Sequence, residues 1–175
     1  MAENRIFVVI PAAGVGSRMN NSLPKQYLKL DDDNQTVLSK SLEVVFNSVK
    51  VEKAVIAIAA EDSWFPQSVT LFKNHCCSVL GGRQRMDSVV NCMDFLIGEA
   101  NEDDWVLVHD AARPCVRQQD IRNLMVAIKD SLVGGILGLP VSDTLKLYDG
   151  DKVTKTIDRE KVWRSLTPQV FRFGV

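Results

Sequence analysis

Residues 6–30 read IFVVIPAAGVGSRMNNSLPKQYLKL, and the change of character at Pro11 decides the fold. Ile6 to Ile10 is a run of β-branched and aromatic residues of strand length. Two small residues, Ala12 and Ala13, follow at once, then Gly14 and Gly16, and then the cations Arg18 and Lys25. Glycines there let the backbone turn tightly and aim N–H groups at an anion, while the alanines leave room for a ligand to approach the main chain. The P-loop pattern GxxxxGK[ST] is absent, and Met19 stands where the dinucleotide fingerprint requires a third glycine. A tight strand-to-helix turn with solvated charges is the plain alternative. Cations packed beside backbone donors favour polyphosphate, because a transferring phosphoryl group needs its charge neutralised.

Outward from that stretch, strand-length apolar runs alternate with segments of helical period. Leu38, Leu42, Val45, Phe46 and Val49 fall on one helix face. Ala54 to Ala60 is a second strand, and a weaker helical stretch covers Trp64 to Lys73. CSVL leads into a Gly81-Gly82 turn and a helix from about Ser88 that carries Val89, Met93, Leu96 and Ile97 inward. Trp105 to His109 is the next strand; Ile121, Leu124, Met125 and Ile128 mark another helix, closed by Gly134-Gly135, and ILGLPV opens a further strand. The expected fold class is α/β: a Rossmann-like, mostly parallel sheet with helices on both faces. From Asp143 the segment DTLKLYDGDKVTKTIDR reads as two polar strands around an Asp-Gly turn, a hairpin too charged for a buried sheet. One domain over 1–175 is expected, with a projecting β-arm at about 143–160 that suits a homodimer.

The bounds agree with one globular domain: 175 residues, 46% hydrophobic, formal net charge −1. That balance points to neither nucleic acid nor a membrane, and no apolar run approaches the roughly 18 residues of a membrane span. No secretory layout follows the first apolar run, so a cytoplasmic location is expected. The four cysteines, Cys76, Cys77, Cys92 and Cys115, show no CxxC spacing and read as reduced thiols.

Ligands in open α/β sheets bind at the carboxyl ends of the strands. AAGVGSR, GGRQR and DAARP each sit immediately after a strand. Asp110 is a hard oxygen ligand suited to magnesium and Arg113 can grip a phosphate bidentately, although a carboxylate capping the next turn is the simpler alternative. His109 reads as a packed or hydrogen-bonded residue, and His75 with Cys76 and Cys77 as structural. No GxSxG elbow or Cys-His pair offers a covalent nucleophile. A phosphate monoester, already ionised near neutrality, needs none, and could attack the α-phosphate of a nucleoside triphosphate while Mg2+, Lys25 and Arg18 stabilise the added charge.

PAAGVGSRM, PKQYL, GGRQRMDSV, VHDAARP, DTLK and LTPQVF, in this order and spacing, closely resemble the 2-C-methyl-D-erythritol 4-phosphate cytidylyltransferases of the non-mevalonate isoprenoid pathway. The resemblance implies an Mg2+-dependent reaction of CTP with methylerythritol phosphate, giving 4-diphosphocytidyl-2-C-methyl-D-erythritol and pyrophosphate. It implies that Arg18 and Lys25 stabilise the transition state, that Ala12, Ala13, Gly14 and Gly16 cradle the triphosphate, and that Gly82 and Ser88 lie at the cytosine end. Asp110 would hold magnesium, Ala111 and Ala112 would line the nucleotide pocket, Arg113 and Thr144 would bind the acceptor, and Arg159 would position the acceptor phosphate in the other subunit. Arg83 stands where some relatives carry an acidic residue. The chain stops at Val175, soon after LTPQVF, where family members continue through a segment supplying an acidic residue and a lysine, so a fragment is expected. The competing identities are a ribitol-5-phosphate cytidylyltransferase, whose PKQFL and HDAVRP forms differ by single residues, a truncated CTP-binding module with little turnover, and a dinucleotide-dependent oxidoreductase. The last would need its acidic residue about 20 positions past the glycines, and Glu61 lies far beyond that.

Overall fold

The computed structural model describes residues 4–14, 23–30 and 35–175. A six-stranded sheet has the order β3-β2-β1-β4-β8-β5, formed by β1 (Ile6–Pro11), β2 (Val51–Ile58), β3 (Cys76–Leu80), β4 (Trp105–Val108), β5 (Gly134–Pro140) and β8 (Trp163–Arg172). β1, β2, β3 and β4 pair in parallel, whereas β8 runs antiparallel between β4 and β5. The helices are α1 (Val37–Phe46), the short α2 (Phe65–Ser68), α3 (Arg85–Leu96) and α4 (Gln118–Ile128).

Strict alternation along β1 divides the core into two layers, as strand geometry requires. Val8 and Ile10 face α1 and α4, packing with Leu38, Leu42, Ile121 and Leu124. Phe7 and Val9 face α3, packing with Cys92 and Leu96. Leu42 is fully buried; its truncation to alanine is expected to cost about 2–5 kcal/mol. Thr36 caps α1 by accepting the Ser39 N–H at 3.1 Å, and Asp87 closes the start of α3 by accepting the Gln84 N–H at 2.9 Å.

The expected α/β class and both helix-covered faces are present, with four differences in detail. Helix α3 begins at Arg85 rather than near Ser88 and turns Ser88, Cys92 and Leu96 inward, an i, i+4, i+8 row; Ile97, expected inward, is the residue after the helix and lies exposed. The Trp64 to Lys73 stretch is one short helix and a 3₁₀ turn at Thr70–Phe72. Gly134-Gly135 does not close α4, which ends at Ile128, but starts β5. A side chain at Gly134 would lie 2.1 Å from the Val170 carbonyl oxygen, and its φ of 139° favours glycine. The fourth difference is β8, a sixth strand in the sheet interior. Its Val170 is fully buried, and the partly buried Phe173 just beyond it packs on the α3 layer.

The hairpin consists of β6 (Leu145–Asp149) and β7 (Lys152–Ile157), antiparallel and separate from the main sheet. Leu147, Tyr148 and Val153 on it are exposed.

Candidate functional site

Three turns converge at the carboxyl edge of β1, β3 and β4. The Ala12 N–H donates to the Ala57 carbonyl at 2.8 Å and the Gly81 N–H to the Ile58 carbonyl at 2.8 Å, which carries the sheet pairing past the strand ends. Gly81 is packed so closely that a Cβ there would lie 2.2 Å from the Ala13 Cβ and 3.1 Å from the Ser88 hydroxyl. Only glycine fits where the loop after β3 meets the loop after β1. The Ser88 Oγ accepts the Gly82 N–H at 3.1 Å and donates to the Gln84 carbonyl at 3.3 Å, holding the Gly82 turn against α3.

The loop after β1 is fixed from within. Gln26, nearly fully buried in the 3₁₀ turn Lys25–Tyr27, donates its side-chain amide to the Ala12 carbonyl at 2.6 Å and the Gly14 carbonyl at 3.3 Å. Lys25, one residue earlier, is exposed. Tyr27 is buried and donates its hydroxyl to Asp62 at 2.6 Å; burial first, then the Asp62 carboxylate, pushes the phenol far above its usual range, so it stays a neutral anchor. One turn thus presents a cation and shapes the phosphate-type loop beside it.

The turn after β4 carries the charge. Asp110 uses both oxygens: Arg85 Nε donates to Oδ1 at 2.8 Å and Arg113 Nε pairs with Oδ2 at 2.7 Å. The Asp110 N–H reaches the Thr167 hydroxyl of β8 at 3.4 Å. His109, fully buried, meets the Arg113 carbonyl through Nε2 at 3.0 Å, and burial holds its pKa below the ordinary value. The imidazole is therefore a neutral donor that closes the Asp110–Arg113 turn. Ala111 is buried and its carbonyl accepts the Ser41 hydroxyl at 2.9 Å; Ala112 is half-buried beside it.

Of the residues expected at the site, Ala12, Ala13, Gly14, Gly82, Ser88, Asp110, Ala111, Ala112 and Arg113 gather on these three turns, with Lys25 on the adjoining one. Arg18 and Gly16 lie outside the described residues. Thr144 and Arg159 sit at the base of the hairpin, where the Arg159 guanidinium donates to the Ser142 carbonyl at 2.7 Å. Sequence reasoning assigned no role to Gln26, Arg85 or Thr167, although PKQYL, GGRQR and LTPQVF contain them.

Among the described residues no cluster of three or more His, Cys, Asp or Glu side chains forms a closed metal cage. A single carboxylate at a phosphate-type loop suits a cation that completes its shell with substrate oxygens and water, as magnesium commonly does. The half-buried Cys76 and the buried Cys92 offer no nucleophile: desolvation pushes both thiols up to about 12.

Residues 6–175 match the family model described as IspD, 2-C-methyl-D-erythritol 4-phosphate cytidylyltransferase. The chain belongs to this family. It is 42% identical over 175 residues to a 2-C-methyl-D-erythritol 4-phosphate cytidylyltransferase of Hahella chejuensis, covering 99% of the chain and 72% of that relative. It is 45% identical over 167 residues to one of Actinobacillus pleuropneumoniae, covering 95% of the chain and 70% of the relative. Among solved structures it superposes on a 4-diphosphocytidyl-2C-methyl-D-erythritol synthase with a TM-score of 0.82 at 32% identity, covering 99% of the chain and 78% of that structure. The Francisella tularensis cytidylyltransferase aligns with a TM-score of 0.79 at 35% identity, covering 98% of the chain and 74% of that structure. Family membership makes the protein a nucleotidyltransferase, a class that generally uses a divalent cation. Among the described residues no helix is long and apolar enough to cross a membrane.

Proposed function

We propose that the chain joins CTP to 2-C-methyl-D-erythritol 4-phosphate, releasing pyrophosphate, as a step of isoprenoid biosynthesis in the cytoplasm. The observation that carries this reading is the convergence of the glycine loop, the Gly81-Gly82 turn and the Asp110 turn at one sheet edge, in a chain of this family. A phosphate oxygen of the acceptor attacks the α-phosphorus of CTP, a new P–O bond forms, and the bond to the β-phosphate breaks with its electron pair leaving on pyrophosphate. No side chain need act as nucleophile, because the acceptor phosphate is already ionised.

Lys25 and Arg18 neutralise the charge that builds on the α-phosphate oxygens. Ala12, Ala13, Gly14 and Gly16 present the loop to the triphosphate, and their small side chains allow close approach. Gly82 and Ser88, with Ala111 and Ala112, flank the cytidine. Asp110 would hold Mg2+, whose Lewis acidity offsets phosphate charge in such sites. Arg113 and Thr144 bind the acceptor, and Arg159 reaches its phosphate from a second subunit. In this reading the 175 residues form one nucleotidyltransferase domain, and the arm at 143–160 joins two copies; the exposed Leu147, Tyr148 and Val153 of the hairpin support an interface there.

The deciding test is pyrophosphate release from CTP and Mg2+ with methylerythritol phosphate, beside ribitol 5-phosphate. Release with the first acceptor is expected, because the relatives named above carry that substrate in their names. Release with ribitol 5-phosphate alone would overturn the acceptor, and CTP binding without release would leave a nucleotide-binding module.

A further inference from the structure

Arg85 occupies a position that helix physics disfavours. It is the first residue of α3, where the positive end of the helix dipole repels a cation. Its guanidinium turns away across the site, donating from Nε to Asp110 Oδ1 at 2.8 Å, while Arg113 holds Oδ2 at 2.7 Å. The contact joins the loop after β3 to the turn after β4. Both Asp110 oxygens are thereby engaged by cations, and Asp110 remains partly open to solvent, so a metal can reach it.

We propose that Arg85 is a positioning residue that keeps Asp110 closed to a free divalent cation until nucleotide arrives, so that cation and nucleotide load together. This inference rests on the nucleotide-binding assignment above. A lone dication approaching Asp110 must displace one guanidinium and tolerate the positive charge of both. A dication already carried on a triphosphate brings surplus negative charge that the released Arg85 can face. The order of loading is thus set by charge balance on one carboxylate. Gln84 and Asp87 fix the start of α3, which limits how far Arg85 can swing while keeping it beside Asp110.

Cation and nucleotide binding are then coupled, and the coupling must appear equally in both affinities. The 175-residue chain and its Arg85→Gln form would be titrated with Mn2+, read by electron paramagnetic resonance, with and without CTP. Without CTP, Arg85→Gln is expected to bind Mn2+ about three- to tenfold more tightly, the range for losing one half-exposed charge pair and its repulsion. Asp110→Asn should abolish that gain when added to Arg85→Gln. With CTP the two proteins should converge. Arg85→Met serves as a second neutral form, and Arg85→Lys should stay close to the parent. Equal Mn2+ affinity of the parent, Arg85→Gln and Arg85→Met without CTP overturns the inference while leaving nucleotide binding untouched. A gain in free Mn2+ affinity in a protein that fails to bind CTP would instead uphold the gating of Asp110 and overturn the nucleotide assignment.

Discussion

The Gln26 side-chain amide donates to the Ala12 carbonyl oxygen at 2.6 Å, across the loop that follows β1. A second contact to the Gly14 carbonyl, at 3.3 Å, makes Gln26 the clamp of that loop. With both carbonyls tied to one side chain, this end of the loop is held in place. Gln26→Leu is expected to lower the rate of pyrophosphate release about 10- to 100-fold, the scale for displacing a binding loop by a fraction of an ångström. It should also cost about 1–3 kcal/mol in unfolding free energy, because the buried Ala12 carbonyl loses its donor. Gln26→Glu keeps the shape but offers carboxylate oxygens to two carbonyls, and should be worse than Leu at neutral pH. Equal activity of parent and both variants would show that the loop holds its form without Gln26.

Lys25 stands beside Gln26 on the same 3₁₀ turn, and its side chain is exposed. Removing it should leave the fold intact, since surface substitutions away from special features change stability by only about 0.5 kcal/mol. Its effect on turnover should be large, about 100- to 1,000-fold, the usual loss when one preorganised charge-stabilising group is removed. Lys25→Ala measured by pyrophosphate release and by thermal unfolding separates the two. A drop in melting temperature that accounts for the lost rate would remove Lys25 from the chemistry.

Asp104 links the first strand to the C-terminal one. It accepts the Arg5 backbone N–H at 2.9 Å, the Arg5 guanidinium at 2.7 Å and the Asn101 N–H at 2.8 Å, while its own carbonyl accepts the Phe173 N–H at 2.9 Å. Burial alone would raise its pKa, but the hydrogen bonds from Asn101 and Arg5 outweigh burial and hold it below the usual 3.8. The folded chain therefore binds this proton less readily than the unfolded one. The stabilisation is complete above pH 3.8 and is lost as pH falls through the lowered folded value. Asp104→Asn should cost about 2–4 kcal/mol in urea unfolding at pH 7 and progressively less toward pH 3. An equal loss at both pH values would mean that the charge is irrelevant.

Periodicity revealed the central parallel strands because they are buried on both faces and read as unbroken apolar runs, IFVVI and WVLVH above all. The three post-strand turns were legible for the same reason, since glycines and charges break those runs abruptly. Strand β8 was not. WRSLTPQVFR mixes charge and proline, and its burial begins only at Thr167, so no period of two is visible along its first half. Its place depends on non-local pairing with β4 and β5, which no window of sequence contains. Arg85 and Gln26 were missed because their partners, Asp110 and the Ala12 carbonyl, are brought to them by the fold. Ile97 was misplaced because α3 ends at Leu96 and the backbone turns extended at Ile97, so the helical period does not reach it.

Strand β8 ties the sheet interior to the Asp110 turn. Inserted between β4 and β5, it supplies Val170 to the core, the Thr167 hydroxyl to the Asp110 turn, and Arg172, whose guanidinium lies 3.5 Å over the Trp105 ring. Ending the chain at Val162 would strip the paired edge from both β4 and β5 and expose apolar residues on both faces, and the product should be insoluble or molten rather than a smaller folded domain. A milder test is Val170→Ala, which removes two methyl groups from a fully buried position and should cost about 1–3 kcal/mol. Thr167→Val keeps the shape of β8 but removes the hydroxyl that meets the Asp110 N–H. Its contact is long, so stability should change by no more than about 1 kcal/mol. The rate of pyrophosphate release should fall further than that loss explains if β8 helps set the Asp110 turn. A cooperative, soluble chain ending at Val162 would show that the four parallel strands suffice for folding and that β8 serves the site alone.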